Sequence, residues 1–242
     1  MPAARRPHHQ PMRPAPIRRG SGAADRGGAF PGDFAMTARL RGWALLLSAA
    51  AFAPAAGAFT ATINPGSRGI YLRVGDGIYT GTYTGNGTPG NGGGVDVVST
   101  TVPAAALGNG VDQIMTTTAS SGVSNYDGYA FCNVPAQIYV GGFYRRSGSG
   151  GAATLTATVP AGLTNAQGQS IAFSQISWTS SGNGDTGGQP IPAGTFQPGT
   201  QALASFQINT WRESCHTFRY ANDAVVGAGT YTGRVVYTLS AP

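Results

Sequence analysis

Apolar and polar residues alternate along much of the chain after residue 58, and this alternation is its main secondary-structure signal. In ATLTATV, Leu155, Ala157 and Val159 share one face, while the intervening threonines share the other. IYLRV (70–74) repeats the pattern. A period of two residues is typical of a half-buried β-strand, because successive side chains of a strand point to opposite faces of the sheet.

Ten further segments have a strand-like composition, rich in threonine, tyrosine and valine. They are FTATI (59–63), GIYTGTYT (77–84), VDVVSTTV (95–102), QIMTTT (113–118), YAFCNV (129–134), QIYVGGFYRR (137–146), IAFSQISW (171–178), ALASFQINTWR (202–212), HTFRYA (216–221) and GTYTGRVVYTL (229–239). Clusters of Gly, Asn, Asp and Ser, such as GNGTPGNGGG and SSGNGDTGGQP, lie between these segments and are typical of turns. About a dozen short strands with such turns predict an all-β fold, an antiparallel β-sandwich of the Ig-like, pilin-like or jelly-roll-like type.

The chain from residue 59 to residue 242 is predicted to form a single domain. The glycine-rich GNGTPGNGGG leaves the N-terminal part of this region short of apolar residues for a core of its own. The alternative is a division near residues 119–128, where ASSGVSNYDG has the composition of a linker.

Positive charge is concentrated at the start of the chain. Residues 1–58 contain eight arginines and two aspartates, whereas residues 59–242 contain seven arginines and seven acidic residues, so the formal net charge of +6 belongs to the first 58 residues. Binding to nucleic-acid phosphates needs clustered cations, and the rest of the chain has no lysine and only one adjacent arginine pair. No nucleic-acid partner is therefore expected.

From Met36, the chain has the organisation of a secretory signal peptide: a basic TARLR, an apolar GWALLLSAAAFAP, then AAGA. Small residues at Ala56 and Ala58 fit cleavage between Ala58 and Phe59, so residues 36–58 are predicted to be removed. The apolar stretch is shorter than the roughly 20 residues that span a bilayer. An N-terminal anchor or a buried helix is the alternative. We expect a protein that is secreted, periplasmic or on the cell surface, without membrane contact after cleavage.

Residues 1–35 are rich in Pro, Arg, Gly and Ala and are predicted to be a disordered N-terminal extension, because this composition cannot bury a core. Met36 already begins a complete signal peptide. The alternative is therefore that translation starts at Met36 and that residues 1–35 come from a gene start assigned too far upstream.

Cys132 and Cys215 are the only cysteines of the chain. Two thiols in an oxidising compartment usually pair, whereas in the cytosol they are more often separate buried residues. Because export is expected, the sequence predicts a Cys132–Cys215 disulfide.

Hydrolytic chemistry has few candidate residues. His216 is the only histidine after residue 58, and a disulfide-bonded Cys215 beside it cannot be a nucleophile. Asp185-Thr186-Gly187 matches the triplet of aspartic proteases, but those enzymes need two such carboxylates and the triplet occurs once here, in a glycine-rich turn. We expect no catalytic residue and a protein that is not an enzyme, with a secreted hydrolase acting through His216 as a lesser alternative.

Metal binding is also not expected. VGDG and NGDTGG each offer one aspartate as an oxygen ligand, but neither has the dense Asp and Asn alternation of a calcium loop. Zinc needs more histidines or free cysteines than the chain after residue 58 contains. The sequence therefore predicts no metal and no cofactor.

Aromatic residues are the clearest sign of a binding surface, because all ten tyrosines follow the predicted signal peptide. YVGGFYRR contains Tyr139, Phe143, Tyr144 and Arg145, and we predict these four as a binding platform. Exposed tyrosines offer flat amphipathic faces for sugar rings or a protein partner. The alternative is that these tyrosines pack across strands inside the sandwich.

AGTYTGRVVYTL, near the C-terminus, resembles the last strand of bacterial secreted β-sandwich subunits, the pilin-like subunits of chaperone-usher fibres and the spore-coat-U-like domains. This resemblance implies a sandwich fold and a structural role. In the fibre families a neighbour's strand completes the sandwich. Their cysteines usually lie closer together than Cys132 and Cys215, and FTATI is short for a donor strand, so the assembly mechanism is not carried over.

The function expected from the sequence is that of an exported, non-enzymatic structural or surface protein, such as a fimbria-like or adhesive subunit. Its expected partners are other subunits of a surface assembly or glycans. The alternative is a secreted carbohydrate-binding module that uses tyrosine and tryptophan platforms.

Overall fold

A computed structural model describes residues 60–81, 94–182, 185 and 187–242. The predicted N-terminal extension, signal peptide and Ala58–Phe59 cleavage site lie outside the described residues. Within these residues the prediction of an all-β fold is confirmed: the elements are fifteen β-strands and two single-turn 3₁₀-helices, and every strand pair is antiparallel.

The strands are β1 (Thr60–Thr62), β2 (Gly69–Val74), β3 (Gly77–Gly81), β4 (Val98–Ser99), β5 (Gln113–Ile114), β6 (Thr116–Thr117), β7 (Ile138–Arg145), β8 (Ala153–Val159), β9 (Gly162–Thr164), β10 (Ser170–Ala172), β11 (Ile176–Ser181), β12 (Gly194–Thr195), β13 (Gly199–Phe206), β14 (Thr210–Tyr220) and β15 (Val236–Ser240). The 3₁₀-helices are Ala104–Ala106 and Phe173–Gln175. Two short pairs, β4 with β6 and β9 with β10, lie outside the two main sheets.

The larger sheet has the strand order β12-β11-β14-β7-β2-β3 and is built around β14. The first half of β14 pairs with β7, and its second half pairs with β11 on the opposite edge. Two short strands extend these edges, β1 beside the start of β14 and β5 beside its end. This long strand therefore connects all parts of the sheet.

The smaller sheet has the order β13-β8-β15 and packs against the larger one, with β15 across from β2 and β13 across from β14. On β8, Leu155, Ala157 and Val159 are buried, as the alternation predicts, while the threonines between them are exposed or half-buried. We call the face of the larger sheet that meets β8 the inner face. Its buried apolar residues include Ile70, Leu72, Ile138, Val140, Trp178 and Phe218.

Several predicted strands have different bounds. YAFCNV is not a strand, and only Ala130 makes an isolated bridge, to Val123. ALASFQINTWR is divided between β13 and β14 because the chain turns at Asn209, whose φ is 52°. HTFRYA continues β14 rather than forming its own strand. Local composition identifies strand-forming residues but not the turn that separates two strands.

Residues 119–128, the alternative domain boundary, lie between strands of one sheet. β2 and β3 precede this segment, whereas β7 follows it and pairs directly with β2. All described residues fall within one compact unit. The segment therefore connects two parts of the larger sheet.

Candidate functional site

The outer face of the larger sheet, opposite the small sheet, is partly covered by residues 119–134, which we call the covering segment. Asp76 holds its start by accepting hydrogen bonds from the Ser120 amide (2.9 Å), the Ser120 hydroxyl (2.7 Å) and the Ser121 amide (3.2 Å). Burial opposes ionisation of Asp76, but the hydrogen bonds from Ser120 and Ser121 outweigh it and lower its pKa. The segment is therefore attached to the sheet by a charged group.

Arg73, on β2, binds the middle of the covering segment from the outer face of the larger sheet. Its guanidinium donates to the carbonyl oxygens of Val123 (2.8 Å) and Ser121 (2.7 Å) and to the side chain of Asn125. It also donates to the carbonyl of Gly75 (2.6 Å) in its own hairpin. Arg73 is only 5% exposed, so its charge is held by backbone dipoles rather than by water.

Glu213 lies on β14, across β7 from Arg73, since both residues pair with Gly141 of β7. Arg73 lies over the Tyr139 ring at 4.7 Å, and the Tyr139 hydroxyl donates to Glu213. Glu213 also accepts from the Ser124 hydroxyl at 3.0 and 2.9 Å. Burial, together with the Glu213 carboxylate, raises the pKa of Tyr139. The phenol therefore stays protonated and acts as a donor.

Gly141 makes room for this arrangement. It lies between Arg73 and Glu213 in the strand register, and a Cβ at this position would collide with the Tyr139 hydroxyl. A glycine here therefore allows the Tyr139 ring to fold across β7 toward Glu213.

The predicted disulfide between Cys132 and Cys215 is confirmed, with a Cα–Cα distance of 5.5 Å. It attaches the end of the covering segment to β14. Gly122 accepts backbone hydrogen bonds from Phe131 (2.9 Å) and Cys132 (2.8 Å), and a Cβ on Gly122 would collide with the Cys132 carbonyl. The segment is thus folded back on itself and bound at both ends.

The predicted platform of Tyr139, Phe143, Tyr144 and Arg145 does not form one surface. Tyr139 and Tyr144 are both 0% exposed, so neither can contact a ligand, and including them in a platform was wrong. Successive residues of β7 point to opposite faces: Tyr144 packs in the inner core and Tyr139 lies under the covering segment. Phe143 and Arg145 are half-buried on the outer face.

Phe143 belongs instead to a different set of rings, the aromatic cluster of Tyr71, Tyr126, Phe143 and Trp211. The Phe143 ring lies 5.8 Å from both Tyr71 and Trp211, and those two rings lie 5.5 Å apart. Tyr126 of the covering segment contacts Trp211 at 5.9 Å. Strand register brings these rings together, because Tyr71, Phe143 and Trp211 are direct cross-strand neighbours on three adjacent strands.

The sequence contains part of the signal for this cluster. The alternation in IYLRV places Tyr71 opposite its core face, which is where the structure has it. Sequence spacing does not show that β2 pairs with β7 or that β7 pairs with β14. The sequence alone therefore does not group Tyr71 and Trp211 with Phe143.

His216 is on the inner face of β14 and is 0% exposed. Its ring stacks on Trp178 at 5.8 Å, and neither ring nitrogen has a hydrogen-bond partner of ordinary geometry among the described residues. Burial lowers the pKa of His216 to about 4, although the nearby Ile191 backbone opposes this shift. In this arrangement the His216 side chain has no access to solvent, which disfavours the catalytic alternative.

We expect acid to destabilise the protein through His216. The folded state keeps the imidazole neutral down to a pKa of about 4, whereas the unfolded chain binds the proton at about 6.5. The free energy of unfolding should therefore fall as pH decreases from about 6.5 to about 4, by up to about 3 kcal/mol. Urea unfolding across this range, compared with His216→Phe, measures it. A wild-type profile parallel to that of the variant would contradict this expectation.

The aspartates of VGDG and NGDTGG, the two candidate calcium ligands, lie in different parts of the fold. Asp76 binds the covering segment, and Asp185 lies in the turn after β11, where its amide donates to Gly182. Within the described part of the chain, no three His, Cys, Asp or Glu side chains are grouped so that they could hold a metal ion.

The two edges of the smaller sheet differ. β13 has a register shift between Ala202 and Ala204, and its Gln201 side chain bonds the Thr195 carbonyl (3.0 Å) and the Gln197 amide (3.0 Å). β15 has no register shift and no charged or proline residue, and no described strand pairs with its second edge. Bulges, charges and prolines are the usual protections of an edge, so β15 is the less protected one.

The fold and these contacts define a class: a disulfide-bonded, antiparallel all-β protein with a sandwich-like arrangement of two sheets. Comparisons with protein families, curated proteins and solved structures found no match. No helix in the described residues has the length and apolar character needed to cross a membrane. A disulfide fits an extracellular or periplasmic protein.

Proposed function

We propose that the protein is an exported, non-enzymatic structural or surface subunit that assembles by strand pairing at β15. The observation that carries this proposal is the less protected edge of β15 in a small sheet whose other edge, on β13, is protected. The signal peptide predicted at residues 36–58 and the Cys132–Cys215 disulfide support export.

Strand addition suits this edge for two reasons. Alternate residues of β15 direct their N–H and C=O groups away from β8, so an added strand would gain main-chain hydrogen bonds. The place beside β15 also lies across from β3, since β15 packs across from β2 and β3 extends the larger sheet by one strand. One strand from a neighbouring copy would therefore both extend the small sheet and cover part of the larger one.

The alternation within β15 favours a defined pairing. Leu239 points inward and is buried, and Tyr237 packs against the same core, whereas Val236 points outward and is 37% exposed. A partner strand with the same alternation would continue the core on one side and the polar surface on the other.

Thr238→Lys tests the proposal with the protein purified from cells that express the full chain. A lysine on an edge strand opposes pairing with another strand, so we expect concentration-dependent association of the wild type to weaken about tenfold or more in the variant. Light scattering after size-exclusion chromatography measures the association constant.

Thr200→Lys is the matched control, because Thr200 lies on β13, the protected edge, and is exposed. This variant should associate like the wild type. A wild type that stays monomeric at every concentration, or equal weakening by both lysines, would contradict assembly through β15.

A further inference from the structure

Residues 123–130, within the covering segment, fold into a short hairpin that we call the tyrosine hairpin. The Ser124 amide donates to the Tyr129 carbonyl (2.8 Å), and the Ser124 carbonyl accepts from the Gly128 amide (3.0 Å). Gly128 closes the turn with a φ of 80°, a conformation that favours glycine. The Tyr129 amide donates to the Asp127 side chain (3.0 Å), so the backbone around Tyr129 is fixed by hydrogen bonds.

The hairpin exposes two tyrosines to solvent. Tyr129 is 70% exposed and Tyr126 is 44% exposed, whereas the other tyrosines whose side chains the structure describes are buried or half-buried. An exposed tyrosine offers a flat apolar face with a polar tip. Because its backbone is fixed, Tyr129 presents such a face in a defined place.

The buried charged groups of the outer face hold this hairpin. The Ser124 hydroxyl donates to the Glu213 carboxylate, and Arg73 donates to the Val123 carbonyl and to the Asn125 side chain. Burying charged groups opposes folding unless they are fully bonded, and here both groups direct hydrogen bonds to one loop. Loops positioned by a rigid support are typical places for binding residues.

An open groove of about 530 Å³ lies beside the hairpin. This volume is within the range of about 300–1,000 Å³ that is typical of ligand sites. Two exposed aliphatic side chains, Ile78 and Val123, line it together with the polar residues Arg73, Asp76, Ser120, Ser121, Ser124 and Asn125. Ser120 and Asn125 are exposed, so a ligand in the groove can reach them.

We infer that the tyrosine hairpin and this groove bind a neutral polysaccharide. The face of a sugar ring packs on Tyr129, and the sugar hydroxyls accept from the Asn125 amide group and donate to the Ser120 hydroxyl oxygen. An acidic polysaccharide or a nucleic acid fits less well, because Arg73 is buried and the exposed charge of the hairpin is the Asp127 carboxylate. This site is independent of assembly through β15.

Affinity electrophoresis in native gels tests this site with the protein purified from cells that express the full chain. The probes are hydroxyethylcellulose, glucomannan and galactomannan, which are neutral, and polygalacturonate, which is acidic. We expect at least one neutral polysaccharide to slow migration, and Tyr129→Ala to lower the association constant about tenfold or more. Tyr129→Phe keeps the ring and should stay within about threefold of the wild type.

Val225→Ala is the control, because Val225 is 79% exposed outside the hairpin, and its association constant should equal that of the wild type. Since Tyr129 is exposed, Tyr129→Ala should unfold at the same urea concentration as the wild type, which separates loss of binding from loss of folding.

No slowing by any of the neutral polysaccharides, an unchanged association constant in Tyr129→Ala, or slowing by polygalacturonate alone would overturn the inference. Self-association that Tyr129→Ala abolishes, without slowing by any polysaccharide, would also overturn it, in favour of a protein contact.

Discussion

Replacing Cys132 and Cys215 with alanine is expected to lower the free energy of unfolding by about 4–5 kcal/mol. The two residues are separated by 83 positions, and a cross-link that closes so long a loop removes much conformational freedom from the unfolded chain. The same bond attaches the covering segment to β14. Loss of the bond should therefore also expose the outer face, including Tyr139 and Glu213.

Urea unfolding followed by fluorescence measures this change, and the wild type unfolded with a thiol reductant present is the natural control. The reduced wild type and the alanine variant should have similar midpoints. A loss below about 1 kcal/mol would show that the covering segment holds its place without the disulfide, which would contradict our explanation.

Arg73→Met is expected to cost about 3–5 kcal/mol. The variant removes the donors for three backbone carbonyl oxygens, two of which are in the covering segment, and for the Asn125 side chain. It also removes the buried cation that lies across β7 from the Glu213 carboxylate, which is 1% exposed. Losing one member of a buried charged network is usually more costly than losing a surface ion pair.

Arg219→Met is the matched control, because Arg219 is half-buried on β14 and is not part of this network. It should change stability by about 0.5 kcal/mol or less. The double variant Arg73→Met/Glu213→Gln should lose less than the sum of the two single variants, because each single change leaves the other group unbalanced. Additive losses would show that Arg73 and Glu213 act independently.

Much of the sandwich could be predicted because its strands are half-buried. The alternation on β8 identified its core face, since the environments of the two faces differ along the whole strand. The disulfide could also be predicted, because a chain with two cysteines and an expected export route allows one pairing.

The covering segment could not be predicted from the sequence, and this is why Tyr139 was wrongly placed in an exposed binding platform. Alternation separates the two faces of a strand but does not show whether a distant loop covers the polar face. Tyr139 and Arg73 are on the outer face of the larger sheet, yet residues 119–134 bury them. YAFCNV has the composition of a strand, but its backbone pairs with Gly122 instead of a sheet.

Grouping the aromatic cluster required the strand register as well. Tyr71, Phe143 and Trp211 are separated by about 70 residues at each step, and only the order β2-β7-β14 places them side by side. Composition singles out YVGGFYRR as one platform, but the alternation along β7 sends its residues to two different environments.

Export and oxidation are the basis of the proposed role, and mass spectrometry of protein recovered from cells that express the full chain tests both together. We expect a chain that starts at Phe59 and yields a peptide pair joined through Cys132 and Cys215. A chain that keeps residues 36–58 and carries two free thiols would contradict it.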